Sequence, residues 1–269
     1  MNKKHLLLLV VILGIFSCKK SDRDEDKTTN TSADVAFATN VTYDVFKTIY
    51  QAANSTQGIV TAAYVDSISV FGCDTITKDT TSNPKWMQIK FNTDCTSSSI
   101  IRNGKLYVTF NGHFNTPGTT ANLAIYDFSY NGYRVYDGSI AFKYEGLTDS
   151  FPTYSVTFTN LKIINSFSQK IVYSGSHKLQ IIQGQNTQTI TDDLYSISGV
   201  NSGRVFKGNG FTSQITTNLN LSGNCNWIES GIVTVKPENN PTRTLDFGSG
   251  CDNKISVKVY DINHELELP

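Results

Sequence analysis

The sequence predicts a mainly β protein: a single large antiparallel meander, forming a strongly curved sheet or incomplete barrel, with one N-terminal helix. Three observations predict this fold. Apolar and polar residues alternate along most of the chain after position 65, Asn-Gly and Asp-Gly pairs punctuate these runs, and one segment alone has helical spacing. The hydrophobic content of 39% is sufficient for a core. A β-sandwich is the alternative, because it is also built from hairpin-linked strands.

The first element, residues 1–17, is predicted to be a lipoprotein signal peptide. Lys3 and Lys4 precede an apolar stretch, Leu6 to Phe16, that is too short to cross a bilayer of about 30 Å. It ends in Ile-Phe-Ser-Cys, which resembles a lipobox and makes Cys18 the lipid attachment residue, although the phenylalanine departs from the usual small or aliphatic residue. An ordinary secretory signal with an incidental cysteine is the alternative.

Residues 18–33 form a charged and then polar run that is predicted to be a flexible tether, because it cannot bury enough apolar surface to fold. Lys19 and Lys20 followed by acidic residues also resemble the surface-export signal of Bacteroidetes lipoproteins. That resemblance implies display on the cell surface, with a spacer on the periplasmic face as the alternative.

The next element is the helix, predicted over about 35–54 at the start of a β-rich domain covering residues 34–269. Val41, Val45, Ile49 and Ala53 recur every fourth residue, which is the spacing of one helix face. Asn40 or Thr42 is the predicted N-cap, and Gln57-Gly58 is predicted to end the helix.

After the helix the period becomes two, which predicts strands. The predicted strands are 67–71, 105–110, 123–128, 154–158, 170–183, 194–200, 211–219, 228–235, 244–247 and 255–260. Asn-Gly or Asp-Gly pairs predict turns because both residues tolerate a positive φ. These pairs are 103–104, 111–112, 131–132, 137–138 and 209–210.

Four cysteines remain in the domain: Cys73, Cys95, Cys225 and Cys251. Their surroundings repeat: an Asn-Pro pair leads into a strand that ends with Phe, and three residues then separate this Phe from a Cys, once at Cys95 and once at Cys251. Of the three possible connectivities, this echo selects the disulfides Cys73–Cys95 and Cys225–Cys251. No Cys-x-x-Cys pair and no flanking histidine is present, so no metal site is predicted.

Aromatic residues around the Asn131-Gly132 turn give the strongest indication of binding. Tyr126, Tyr130, Tyr133 and Tyr136 are the candidate ligand surface, a platform for stacking a sugar or a protein partner if that face is exposed. Core packing through cross-strand aromatic pairs is the alternative.

Catalytic patterns are absent from the sequence, which therefore predicts a non-enzyme without a cofactor. No Gly-x-Ser-x-Gly or His-Glu-x-x-His motif occurs, and the glycines do not follow a phosphate-binding pattern. Outside the signal, His113, His177 and His264 lie on separate segments. Asp192-Asp193 is the one adjacent carboxylate pair of the β region, and it is predicted to form an Asx turn.

The charges exclude a nucleic-acid partner. Lys and Arg number 23 and Asp and Glu 23, and removing Lys3 and Lys4 with the signal leaves 21 − 23 = −2. The membrane, reached through the N-terminal lipid, is the predicted partner, together with a glycan or an envelope protein.

Four segments are similar to a family of Bacteroidetes lipoproteins of unknown function. They run from Asp192 to Gly199, from Cys225 to Val233, from Pro241 to Lys254 and, earlier in the chain, from Gly104 to Thr109. The resemblance implies a β-rich, lipid-anchored outer-membrane protein and brings no activity. We therefore expect a surface binding or adhesion module. An accessory protein that holds a lipid or apolar ligand inside the curved sheet is the alternative.

Overall fold

A computed structural model describes residues 29–63, 74–92 and 100–269, except for the side chain of Tyr126. It confirms the predicted fold class: fourteen strands form one antiparallel sheet, which wraps as a partial ring around one α-helix. Because all described strands belong to this single sheet, the sandwich alternative is wrong.

The helix, α1, covers Asn30–Asn54. The strands follow it in chain order: β1 Thr75–Asp79, β2 Lys85–Phe91, β3 Arg102–Phe110, β4 Thr120–Tyr130, β5 Tyr133–Tyr136, β6 Ser139–Thr148, β7 Phe151–Ile164, β8 Lys170–Gln183, β9 Leu194–Arg204, β10 Gly210–Ser222, β11 Ser230–Pro237, β12 Arg243–Ser249, β13 Lys254–Val259 and β14 Ile262–Glu267. A short 3₁₀ helix, Ile190–Asp192, precedes β9. The predicted strand at 67–71 lies outside the described residues.

Each strand pairs with its neighbours in the chain, except that β5 and β6 share one position between β4 and β7. Within the described residues β1 and β14 end the pairing order, so strand pairing does not close the ring. The Asn131 amide donates to the Pro269 carbonyl at 3.1 Å, which brings the C-terminus beside the β4–β5 turn.

Some of the predicted Asn-Gly and Asp-Gly turns are turns in the structure, and others are irregular positions along the strands. Asn131 and Gly132 have φ values of 48° and 80° and form the predicted hairpin between β4 and β5. The predicted turn at Asp137-Gly138 is wrong, because the strand resumes in the same register against β4 and β7.

The predicted turn at Asn103-Gly104 is also wrong, because both residues lie inside β3 next to a register shift. Gly104 has a φ of 89°, and a Cβ at this position would lie 1.5 Å from the Asp127 carbonyl oxygen. The glycine therefore permits a close backbone approach at a bulge, which sequence spacing does not distinguish from a turn.

The helix has the predicted stripe, but it is buried on all sides. Val41, Val45, Ile49 and Ala53 are 0–1% exposed, and every residue from Val35 to Asn54 is buried. The sheet therefore surrounds the helix rather than covering one face of it.

The helix begins five residues before the predicted start, so positions 30–33 of the predicted tether are helical. Thr31 and Ser32 are fully buried there, which the polar character of the segment does not indicate. Asn40 and Thr42 are not caps: both lie inside the helix, and the Thr42 hydroxyl donates to the Ala38 carbonyl at 2.8 Å. The helix ends at Asn54, close to the predicted Gln57-Gly58.

The two edges of the sheet differ in their relation to the helix. Alternate turns of a meander lie at the same edge, so residues 131–132, 165–169, 205–209, 238–242 and 260–261 share one of them. The backbone N–H of Phe206, in this group of turns, donates to the Asp34 carboxylate at 3.1 Å. Because Asp34 lies near the start of the helix, we call this the helix-entry edge. The β6–β7 and β8–β9 turns lie at the opposite edge.

One of the two predicted disulfides is confirmed. Cys225 and Cys251 are bonded, with 5.7 Å between their Cα atoms. Cys73 and Cys95, and the predicted lipid attachment residue Cys18, lie outside the described residues, so these predictions stay open.

Candidate functional site

The predicted aromatic surface does not form an open platform. Tyr130 is fully buried: its hydroxyl accepts a hydrogen bond from the Asn40 amide at 2.8 Å, and its ring packs edge-on against Phe37 at 6.0 Å. The prediction that Tyr130 contacts a ligand is therefore wrong, and the core-packing alternative is confirmed at this position. The reason is that Tyr130 shares the inward parity of β4 with Phe128.

The other tyrosines of this hairpin also have protein partners. Tyr133 faces the helix and packs against Phe37 at 4.6 Å and Phe206 at 6.0 Å. Tyr136 carries two cations over its ring, Arg134 at 5.1 Å and Lys162 at 5.7 Å. Both rings are therefore already in contact with other side chains of the protein. The side chain of Tyr126 lies outside the described residues.

The outer face of β8–β11 carries two adjoining surface depressions. One groove of about 490 Å³ and an adjoining one of about 500 Å³ share residues of β9, β10 and β11. Strand pairing arranges the outward side chains in two cross-strand rows. The first row is Ser174, Ser202, Thr212 and Lys236, and the second is Ser176, Val200, Gln214 and Thr234.

Outward positions of these strands place short hydroxyl side chains in the groove, beside the exposed side chain of Val200. Ser202 and Thr212 are exposed, so their hydroxyls face solvent as both donors and acceptors. Charges lie along the adjoining groove, where Arg204, Lys236 and Glu238 line its walls. The short hydroxyls, an amide and a few charges are able to hydrogen-bond an extended polar ligand. Sequence reasoning missed it because polar outward positions are common on any half-exposed sheet.

A stacked aromatic pair stands on the outer face of neighbouring strands β2 and β3. The rings of Trp86 and Tyr107 lie 5.6 Å apart with 30° between their planes, and both residues are half-buried. The alternation of Met87 and Ile89, which are fully buried, identifies Trp86 as outward-facing. This alternation is visible in the sequence, and it indicates an outward-facing aromatic residue on β2, not at the 131–132 hairpin.

The interior of the sheet is occupied by the helix and a buried hydrogen-bond chain. The Tyr43 hydroxyl bonds Nδ1 of His177, whose Nε2 lies 2.6 Å from Oδ1 of Asn201. The Asn201 amide in turn donates to the Ser213 hydroxyl at 3.2 Å. Burial lowers the pKa of His177 to about 4, so the ring is neutral at pH 7, and burial raises the pKa of Tyr43.

This chain of hydrogen bonds contains a histidine and a serine, but its geometry is that of a structural network. His177 is 4% exposed and Ser213 5%, and Asn201 separates them. A nucleophile must lie within hydrogen-bond reach of its base and of a substrate. The arrangement therefore fixes the helix against the sheet and gives no support to hydrolysis. His113 and His264 lie elsewhere, in the β3–β4 loop and on β14.

A second buried polar group joins the helix to β3 and the β10–β11 loop. Arg102 donates to both carboxylate oxygens of Asp44, one bond being 2.8 Å from its Nε, and the Asp44 side chain is 1% exposed. The Lys47 ammonium donates to the carbonyl of Cys225. Burial lowers the pKa of Lys47 to about 8, although Asp44 acts in the opposite direction. These charges are satisfied within the fold.

The adjacent carboxylates Asp192 and Asp193 do not form a catalytic pair. Asp192 accepts a hydrogen bond from the Thr187 hydroxyl at 3.0 Å, whereas Asp193 is 3% exposed and lies 3.3 Å from the Tyr195 hydroxyl. Burial, reinforced by Asp192, raises the pKa of Asp193 to about 7. The buried position beside the 3₁₀ helix indicates a structural role.

One group of metal-type side chains occurs among the described residues: Cys225, Glu229 and Cys251. Both sulfurs are already joined in the disulfide, so neither is a thiolate ligand. The Glu229 carboxylate accepts a hydrogen bond from the Ser222 backbone N–H at 2.7 Å. The group therefore stabilises the β10–β11 and β12–β13 turns.

Comparisons with family models, curated proteins and solved structures found no match to this chain. The resemblance to Bacteroidetes lipoproteins accordingly stays a prediction. Within the described ranges, no helix combines the length and hydropathy that membrane crossing requires.

Proposed function

We propose that this protein is a lipid-anchored, non-enzymatic binding protein of the cell envelope, whose ligand is a polar glycan bound on the outer face of β8–β11. Anchoring is argued from Lys3, Lys4, the short apolar stretch and Cys18. The outer membrane is the proposed location, with the cell surface favoured over the periplasmic face by the charged run after Cys18.

The observation that carries the proposal is that the helix fills the interior of the sheet. Phe46, for example, is fully buried and contacts the rings of Phe142, Tyr154 and Tyr195 on three different strands. An apolar ligand held inside the curved sheet would compete with these contacts. The helix-filled core therefore favours an external ligand over the alternative of an apolar ligand carried inside the sheet.

A glycan fits the chemistry of the outer groove. Hydroxyls and amides that both donate and accept hydrogen bonds match the hydroxyls of a sugar. Neighbouring side chains in a cross-strand row are about 5 Å apart, so a chain of sugars laid across the strands meets a new polar group at each step. Lys236 and Arg204 add positive charge, which favours glycans that carry carboxylate or sulfate groups.

The test is a titration of the protein with neutral and acidic polysaccharides, comparing wild type with Ser202→Leu. Ser202 lines both grooves and is exposed, so leucine removes a hydroxyl and fills space there without entering the core. Losing contacts of this kind is expected to weaken binding on the order of tenfold.

The matched control is Ser139→Leu, on the outer face of β6 two strands from β8. It makes the same chemical change on an exposed serine, so binding is expected to stay at the wild-type level. Equal binding by both variants, or no binding of any polysaccharide by wild type, would refute the groove as the ligand site. Loss of binding in a Trp86→Ala variant alone would move the site to the β2–β3 aromatic pair.

A further inference from the structure

Exposed apolar side chains concentrate at the helix-entry edge of the sheet. The described residues include six large apolar side chains that are strongly exposed. Four lie at or beside the helix-entry edge: Ile101, Phe167, Tyr260 and Ile262, with 62%, 82%, 58% and 61% exposure. Of the others, Val200 lies in the outer groove and Leu147 lies near the opposite edge.

Phe167 is presented by an ordered turn between β7 and β8. Oδ1 of Asn165 accepts hydrogen bonds from the backbone N–H of Phe167 and of Gln169, each at 3.0 Å. The Asn165 amide donates to the Gln169 side chain at 2.9 Å, which closes the turn. The ring is thus held in solvent by a defined structure.

The β13–β14 turn presents a second apolar tip at the same edge. It consists of Tyr260, with a φ of 53°, and Asp261, and Ile262 follows directly as the first residue of β14. The edge also carries exposed cations, Lys170 and Lys207, so the apolar tips are flanked by positive charge. Apolar tips with flanking lysines are the chemistry of a membrane-interface contact, although Glu238 and Asp261 place negative charge there as well.

The chain enters the fold at this edge, which selects the bilayer as the occupant. Under the proposed function Cys18 carries the lipid, and 29 − 18 = 11 residues separate it from Thr29 at the start of the helix. Eleven residues reach at most about 40 Å when fully extended. The helix-entry edge is therefore the part of the domain that the anchor holds nearest to the membrane.

We infer that the helix-entry edge is a second membrane contact, in which Phe167 and the β13–β14 tip enter the bilayer interface. This inference rests on the proposed lipid anchor. It adds a surface of the folded domain to the lipid as a point of contact with the membrane.

The experiment places a fluorescent probe at each edge of the full-length lipidated protein. Phe167→Trp and Leu147→Trp variants are reconstituted into vesicles of phosphatidylcholine and phosphatidylglycerol, with ordinary or acyl-chain-brominated lipid. Leu147 is a matched control because it is 69% exposed and lies near the opposite edge. The wild-type signal, from Trp86 and Trp227, is subtracted from both variants.

Brominated lipid is expected to remove fluorescence added at position 167 and to leave fluorescence added at position 147 unchanged. Flotation with the vesicles is measured on the same samples. Protein that floats without quenching at position 167, or with equal quenching at both positions, overturns the inference and leaves the anchor intact. Protein that does not float overturns both the inference and the anchor. Concentration-dependent dimers in detergent that Phe167→Ser abolishes would assign the edge to a second copy instead, and would also overturn the inference.

Discussion

Protonation of His177 is expected to make the stability of this fold depend on pH. The ring contacts Tyr43 from the helix, Asn201 from β9 and Phe158 from β7, whose ring centroid lies 5.1 Å away. No charged side chain is among these contacts. Burial therefore lowers the pKa of the imidazole from 6.5 to about 4 in the folded protein.

The sign and size of the effect follow from proton linkage. The unfolded chain binds this proton more tightly than the folded one, so the contribution to stability is complete above pH 6.5 and decreases as the pH falls towards 4. A tenfold difference in proton affinity corresponds to about 1.4 kcal/mol. The loss is therefore about 1.4 kcal/mol at pH 5.5 and about 3 kcal/mol at pH 4.

Two buried carboxyl groups act in the opposite direction, so the wild-type profile alone does not isolate the histidine. Burial raises the pKa of Asp34 and of Asp193 from 3.8 to about 7. Their stabilising contribution is complete below pH 3.8 and is lost as the pH rises through 7. The contribution of His177 must therefore be read as a difference from a variant that lacks the titrating ring.

The assay is urea unfolding of wild type and His177→Gln at pH 7.5, 5.5 and 4. The wild-type advantage is expected to shrink by about 1.4 and then about 3 kcal/mol across these values. In parallel, NMR titration of the wild-type His177 ring is expected to show no protonation above about pH 5. A wild-type advantage that is constant with pH, or a ring that titrates near 6.5, would refute the argument.

Three further predictions address the helix, its ion pair and the disulfide. Phe46→Ala is expected to lower the unfolding free energy in urea by about 3–5 kcal/mol, and Phe46→Leu by much less, because leucine fills most of the space between the three strands; equal costs would contradict the packing described. Asp44→Ala is expected to lower the unfolding free energy by about 3–5 kcal/mol because it leaves Arg102 buried without its carboxylate. Adding Arg102→Met is expected to recover part of that loss. Additive costs in this double-mutant cycle would refute the pairing. Replacing Cys225 and Cys251 together by alanine is expected to lower the unfolding free energy by about 3 kcal/mol, because the bond joins residues 26 positions apart. Thermal unfolding under non-reducing conditions measures the loss, and an unchanged midpoint would count against a stabilising role.

The strands could be predicted from sequence because their signal is local. Residues 170–183 are predicted to form one long strand, and β8 has those bounds in the structure. The Cys225–Cys251 bond could be predicted because two segments far apart in the sequence, before Cys95 and before Cys251, repeat one pattern. Gly104 could not be distinguished from a turn residue, because its role depends on the carbonyl of Asp127 in the next strand.

The position of the helix could be predicted only in part, and the reason is physical. Val41 and Val45 mark one apolar face, but Asn40, Asp44 and Lys47 read as the solvent face of an amphipathic helix. Their partners come from distant parts of the chain, and nothing within the helix indicates them. For the same reason the sequence predicts that Tyr130 belongs to a ligand surface, whereas in the structure its hydroxyl is bonded to Asn40 of the helix.

The polar residues of the helix also explain why a ligand is better placed outside the sheet than inside it. Asn40 bonds Tyr130 and the backbone N–H of Ile228, Tyr43 bonds His177, and Gln51 donates to the Gly223 carbonyl. A rotation of the helix by one residue would move all of them away from their partners together. Each unsatisfied buried group would cost about 1–3 kcal/mol, and a buried ion pair that loses one partner more. The helix is therefore fixed in one orientation inside the sheet, and opening the interior for a ligand would break these bonds, whereas the hydroxyl rows on the outer face of β8–β11 already face solvent.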